Sequence, residues 1–207
     1  MIIRPAKRTE SVQEYYFSRK LKEIAAMNAE RKERGEELVI NLGIGSPDGM
    51  PPMPAIEALC ESAVQPGNHA YQSYVGLPEL RQAFADWYAR WYGVTLDPAK
   101  EIQPLVGSKE AILLISLAFL DKGDKVLVHA PTYVGFTMSL GNYGYEIVHS
   151  PLVKDEQGIW RMDFADMEKK IVENKIHTAI FCSPHNPTGR VWERWEIEKA
   201  MELYKKH

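Results

Sequence analysis

From Ile102 onward the chain alternates between short apolar runs and segments of helical period, and few folds accept that alternation. Ile102–Val106 reads as a strand and Ser108–Leu120 as a mostly buried helix. Asp121-Lys122-Gly123-Asp124 is a turn, followed by a strand over Lys125–His129, a helix over Thr132–Asn142 and a strand over Tyr145–His149. Asp163 suits the N-cap of a helix over Phe164–Glu173. Thr178–Cys182 reads as one more buried strand, and Ile197, Ala200, Met201 and Tyr204 give a last helix its apolar face. Strands that alternate with helices imply an α/β fold, a mostly parallel sheet with flanking helices.

The part before Ile102 is less regular. Residues 11–34 are rich in Glu, Lys, Arg and Ala, which favours a helix stopped by Gly35. Leu21, Ile24, Ala25 and Asn28 share one of its faces and the others are charged, so it belongs on the surface. A short apolar stretch, Leu38–Leu42, leads into a loop where Pro47, Pro51, Pro52 and Pro54 each remove a backbone donor. Pro54 suits the opening turn of the next helix, over residues 55–64. From Pro78, Leu80, Phe84, Trp87 and Trp91 fall at helical spacing as one apolar stripe.

Composition narrows the function classes. Lys and Arg number 25 against 28 Asp and Glu, a net charge of −3, so no basic excess points to nucleic acid. The longest apolar run, Ala111–Leu120, is ten residues, and a membrane helix needs roughly twenty. The first residues lack the apolar core of a secretory signal. Two cysteines, Cys60 and Cys182, make no disulfide framework and suit a reducing compartment. The expectation is a soluble cytoplasmic protein.

In an open α/β sheet, ligands bind in loops at the carboxyl ends of strands. Three such loops stand out. Gly107-Ser108-Lys109-Glu110 runs into an apolar helix; it reads either as an ordinary helix start capped by Ser108 or as a phosphate site. In the second loop, Ala130-Pro131-Thr132-Tyr133, the tyrosine suits either the core or stacking on a flat ring. The third, Ser183–Arg190, holds two prolines within four residues, a rigid turn in which a cis bond is expected. Cys182 and His185 lack a second ligand pair, so a metal site is discounted.

Taken together the loops resemble the class I/II family of pyridoxal-phosphate-dependent aminotransferases. Asn186-Pro187-Thr188-Gly189 after a buried strand is that family's signature in this part of the chain. It is preceded, in order, by residues 42–48 (LGIGSPD), residues 71–81 (YQSYVGLPELR), Gly107–Ala111 and Pro131-Thr132-Tyr133. The resemblance implies that Ser108 and Lys109 hold the phosphate of pyridoxal 5'-phosphate, that Tyr133 stacks on its ring and that Asn186 hydrogen-bonds the ring's 3-oxygen. It implies a cis bond at Asn186-Pro187 and, more weakly, at Pro131. Tyr71 corresponds to a tyrosine that reaches the phosphate of the neighbouring subunit, hence a homodimer, and Gly45 to a glycine lying against the substrate carboxylate. The implied division is an N-terminal arm with part of a small domain over residues 1–45. Residues 46–207 are then the first part of the large cofactor-binding domain.

The resemblance also implies what this stretch lacks. The Schiff-base lysine, the acidic partner of the pyridinium nitrogen and the arginine for the substrate carboxylate follow the Asn-Pro-Thr-Gly loop in that family. Lys109, Lys199 and Lys205 do not sit in that context, so no catalytic residue is expected in this chain, and alone it is expected to be inactive. The chain reads as the N-terminal portion of an enzyme acting on an amino acid and a 2-oxo acid. Two other readings stay open: a carbon–sulfur β-lyase of the same fold, which residues 184–192 also resemble, and a non-catalytic module that binds a phosphate-bearing ligand.

Overall fold

The computed structural model describes residues 3–10 and 14–207. The chain divides into two compact units, Met1–Gln72 and Ser73–His207. Among the described residues no helix is long and apolar enough to cross a membrane.

In the first unit, α1 (Tyr16–Glu33) buries none of its residues, as its charged faces require. Residues 11–13 of the expected helix lie outside the described residues. Leu38–Leu42 does not become a strand. The Val39 amide donates to the Asn28 side chain at 2.8 Å and the Glu37 carbonyl accepts from Arg31, so α1 itself supplies the partners that a strand would seek. The proline-rich segment is irregular up to α2 (Met53–Ala63), and Pro54 stands in its first turn.

The second unit opens with α3 (Pro78–Tyr92), ended by Gly93 in the left-handed conformation at φ +65°. Its buried residues are Arg81 and Ala85, not the expected stripe: Leu80, Phe84, Trp87 and Trp91 are all exposed. Ile102–Val106 joins no strand, correcting the expected one; Pro104 in its middle lacks a ladder donor. Next, α4 (Ser108–Phe119) forms as expected but buries only Ser116, with Leu114, Ile115, Leu117 and Phe119 exposed.

The remaining elements form a four-stranded sheet. They are β1 (Lys125–Ala130), α5 (Val134–Asn142), β2 (Glu146–Lys154), β3 (Trp160–Met162), α6 (Phe164–Asn174), β4 (Thr178–Ile180) and α7 (Arg194–Lys206). The strand order is β3-β2-β1-β4, with β1 parallel to both neighbours and β3 antiparallel on β2. The mostly parallel sheet with flanking helices is therefore present. The antiparallel β3 has no signal in the sequence, because three strand residues, Trp160–Met162, are too few to display a period.

Alternation along β1 sends its side chains into two cores. Val126 and Val128 pack with Leu120, Leu140 and Tyr145. Leu127 packs with Met162, Met167, Ile171, Trp192 and Ala200. The Asp163 carboxylate accepts from the Asp166 amide at 3.0 Å, capping α6 as its sequence predicts.

Candidate functional site

The parallel pairing of β1 with β4 makes the loops that follow them leave the same edge of the sheet. The loop after β1 carries Tyr133, and the loop after β4 carries Asn186. Three X-Pro bonds there are cis: Ala130-Pro131, Ser183-Pro184 and Asn186-Pro187.

Tyr133 is the N-cap of α5, which starts two residues later than expected because Tyr133 itself is extended. Its ring is half-buried, edge-on to Phe136 at 5.4 Å, and Lys109 Nζ stands 5.6 Å from its centroid. That contact brings the start of α4 to the loop after β1. The N-cap of α4 is Gly107 rather than Ser108, and Gly107 brings no side-chain acceptor to the first turn. Ser108 is thus exposed at a helix start, and although the Glu110 amide donates to the Gly107 carbonyl at 3.1 Å, the amides of a first helical turn in general attract an anion. Glu110 turns its carboxylate back to the Val106 amide at 2.9 Å.

Asn186 is exposed at the tip of a tightly bonded loop. The His185 amide donates to the Arg190 carbonyl at 2.8 Å and the Gly189 amide to the His185 carbonyl at 2.7 Å. The His185 ring is buried, pairs Nδ1 with Thr188 Oγ1 at 2.9 Å and meets Trp192 edge-on at 5.6 Å. Burial holds its pKa below the usual histidine value. Gly45 and Tyr71 belong to the first unit, and Tyr71 is fully exposed. Lys199, on α7, stands 4.6 Å over the Phe164 ring, and Lys205 is exposed in the last turn of that helix.

Residues 37–207 match the family Aminotransferase class I and II. The chain belongs to that family. Across 98% of its length this aminotransferase-family chain is 37% identical to LL-diaminopimelate aminotransferase of Dehalococcoides mccartyi, covering 50% of that relative. Its fold is similar to alanine aminotransferase from Pyrococcus furiosus, with a TM-score of 0.82 and 30% identity over 98% of this chain and 50% of that one. It is also similar to cystalysin from Treponema denticola, a structure containing pyridoxal 5'-phosphate, with a TM-score of 0.70 and 25% identity over 81% of this chain and 41% of the other. The chain thus spans about half the length of the curated relatives it matches.

Two residues of this family member escaped sequence reasoning. Gly135 lies beneath the Tyr133 ring: a Cβ there would stand 2.2 Å from Tyr133 Cε1. No neighbouring sequence signal marks that close approach. Gly135→Ala must swing the ring away while adding helix propensity to α5. We expect unfolding stability to hold or rise slightly while affinity for a flat aromatic ligand falls roughly tenfold. Thermal melting beside ligand titration separates the two effects, and a variant that binds unchanged would show that the ring's place does not matter.

The second is His129 on β1. Its register partner Ser150 donates to Asp166 Oδ2 at 2.7 Å, and Lys170 binds the same carboxylate at 2.9 Å. His129 itself is 2% exposed, and neither ring nitrogen has a hydrogen-bond partner among the described residues. Burial first, then the neighbouring His185, push its pKa down to about 4, against the attraction of the Ser150 backbone and Asp166. For Asp166, burial alone would raise the pKa, but the bonds from Lys170 and Ser150 outweigh it and hold the carboxyl low.

Proposed function

We propose that this chain forms the phosphate- and ring-holding part of an aminotransferase that moves an amino group between an amino acid and a 2-oxo acid. The cofactor is pyridoxal 5'-phosphate. The approach of Lys109 to the Tyr133 ring carries the reading, because it unites a phosphate-type helix start with a stacking surface. The donor set fits that cofactor: the amides of a helix's first turn, a hydroxyl and an ammonium group suit a phosphate dianion, and an aromatic face suits a pyridine ring.

When bound, the cofactor supplies an electron sink for the carbon bearing the amino group. The chain's residues bind and orient it. Ser108 and the first amides of α4 take the phosphate, with Lys109 as countercharge. Tyr133 covers one ring face, and the Asn186 amide donates to the 3-oxygen. The Gly45 backbone lies against the substrate carboxylate, and Tyr71 reaches the phosphate held by a second copy, making the enzyme a homodimer. Residues 1–45 are the arm and part of the small domain, and residues 46–207 begin the large one. The lysine that relays the proton belongs, in this reading, to the half of the relatives that this chain does not span. The unpaired Cys60 and Cys182 support a cytoplasmic setting.

The stretch Pro184–Trp192, which also resembles carbon–sulfur β-lyases of this fold, favours β-elimination at a carbon–sulfur bond as the second reading. The test is to purify the protein from its source with pyridoxal 5'-phosphate and offer alanine, diaminopimelate or cystathionine. Amino transfer to a 2-oxo acid is the expected result. Pyruvate and ammonia released from cystathionine, without transfer, would replace it with the lyase, and neither reaction would remove both.

A further inference from the structure

Arg190 follows the Asn-Pro-Thr-Gly loop, and its guanidinium is fastened at four points, one of them the neighbouring Val191 carbonyl, which accepts from NH1. Nε donates to the Trp160 carbonyl on β3 at 3.1 Å, and NH2 binds Glu196 Oε2 at 2.5 Å and Glu193 Oε1 at 3.1 Å. Glu196 is fully buried in the first turn of α7. Its Oε2 also accepts from the Glu193 amide at 2.8 Å, and its Oε1 pairs with Arg161 at 3.3 Å. A buried carboxylate held by two arginines and a backbone amide has little freedom to move, because any departure strands its charge away from water.

The same arginine grips the loop from inside. Its carbonyl receives the His185 amide, and His185 is the residue immediately before Asn186. The chain of contacts therefore runs from Glu196 through the Arg190 side chain to the Arg190 backbone, then to His185 and Asn186. We propose that Arg190, anchored on buried Glu196, is a positioning residue that sets where Asn186 presents its amide to the cofactor ring. The proposal rests on the cofactor reading above. It also explains why an arginine serves here: a planar fork reaches four acceptors in different directions at once, whereas the compact ammonium of lysine has three donors at a single point.

Arg190→Lys keeps the charge and removes the fork. In the unliganded protein we expect amide hydrogen exchange at His185 and Gly189 to rise roughly tenfold while Val126–Val128 in β1 stay protected. With pyridoxal 5'-phosphate added, the dissociation constant should rise roughly tenfold. The visible band of the bound cofactor should shift in the direction produced by Asn186→Ala, and the double variant should match Asn186→Ala within about twofold. Glu196→Gln, which keeps the shape but weakens the anchor, should give the same signature at smaller size. A role confined to stability predicts the opposite: lower unfolding temperature, unchanged band position, and effects of Arg190→Lys and Asn186→Ala that multiply. That outcome, or unaltered exchange at His185 and Gly189, overturns the proposal. Wild-type protein that binds no cofactor removes the function reading and the cofactor role of Arg190 together. Wild-type binding with an unchanged Arg190→Lys affinity removes the role of Arg190 alone.

Discussion

Lowering the pH from 6.5 to 4 is expected to cost the folded protein on the order of 3 kcal/mol through His129. Its imidazole is neutral and buried in the fold, with a pKa pushed down to about 4, while the unfolded chain binds the proton near 6.5. Between those values the unfolded state holds more protons than the folded one. Stability is therefore complete above pH 6.5 and falls as the pH drops toward 4. The groups that face His129 do not reverse this. His185 adds its own, weaker fall in the same direction, since burial lowers its pKa too. The contribution of Asp166, whose carboxyl is held low, is lost only below the ordinary aspartate range, under the window in question. Urea midpoints from pH 7 to 4.5 measure the slope. His129→Leu should flatten most of it, leaving the His185 part, and should not destabilise at neutral pH because it replaces a buried group without hydrogen-bond partners. Parallel curves for the two proteins would contradict the assignment.

The largest single loss of stability is expected from Trp192→Ala, at about 3–5 kcal/mol. Trp192 is 4% exposed, fills the core between the sheet, α6 and α7, and donates Nε1–H to the Cys182 carbonyl at 2.8 Å. Its removal opens a cavity against Phe181 and His185 and unties both ends of the Asn186 loop. Trp192→Phe keeps most of the packing and loses the bond, a cost of about 1 kcal/mol plus a smaller cavity. Chemical denaturation of the three proteins gives the ordering. A loss near zero for the alanine variant would mean that the loop is held by its backbone bonds and Arg190 alone.

What could be read from the sequence follows from local physics. β1 was legible because its β-branched residues sit between a glycine turn and a proline. Asp163 announced its helix because a cap acts within three residues. The site motifs were legible because each chemistry needs particular residue types in a short span: a glycine before a helix, an aromatic at a strand end, an asparagine between prolines. Burial was not legible in the same way. The stripe on α3 and the run in α4 are apolar and helical, yet remain exposed in this chain, since periodicity tells which face is apolar but not what covers it. Ile102–Val106 failed as a strand because pairing needs a neighbour that composition does not reveal. The roles of Gly135, His129 and Arg190 arise from contacts between segments far apart in sequence or from one close approach, and no local pattern encodes them.

The most direct test of the cofactor reading is an equilibrium titration with pyridoxal 5'-phosphate beside pyridoxal, which lacks the phosphate, on wild-type, Ser108→Ala and Asn186→Ala proteins. The expected result is one saturable site that prefers the phosphorylated form by roughly a hundredfold. Ser108→Ala should weaken the phosphorylated form alone, and Asn186→Ala should weaken both. Equal binding of the two forms, or variants indistinguishable from wild type, would contradict a phosphate cradle at α4 and the central claim with it.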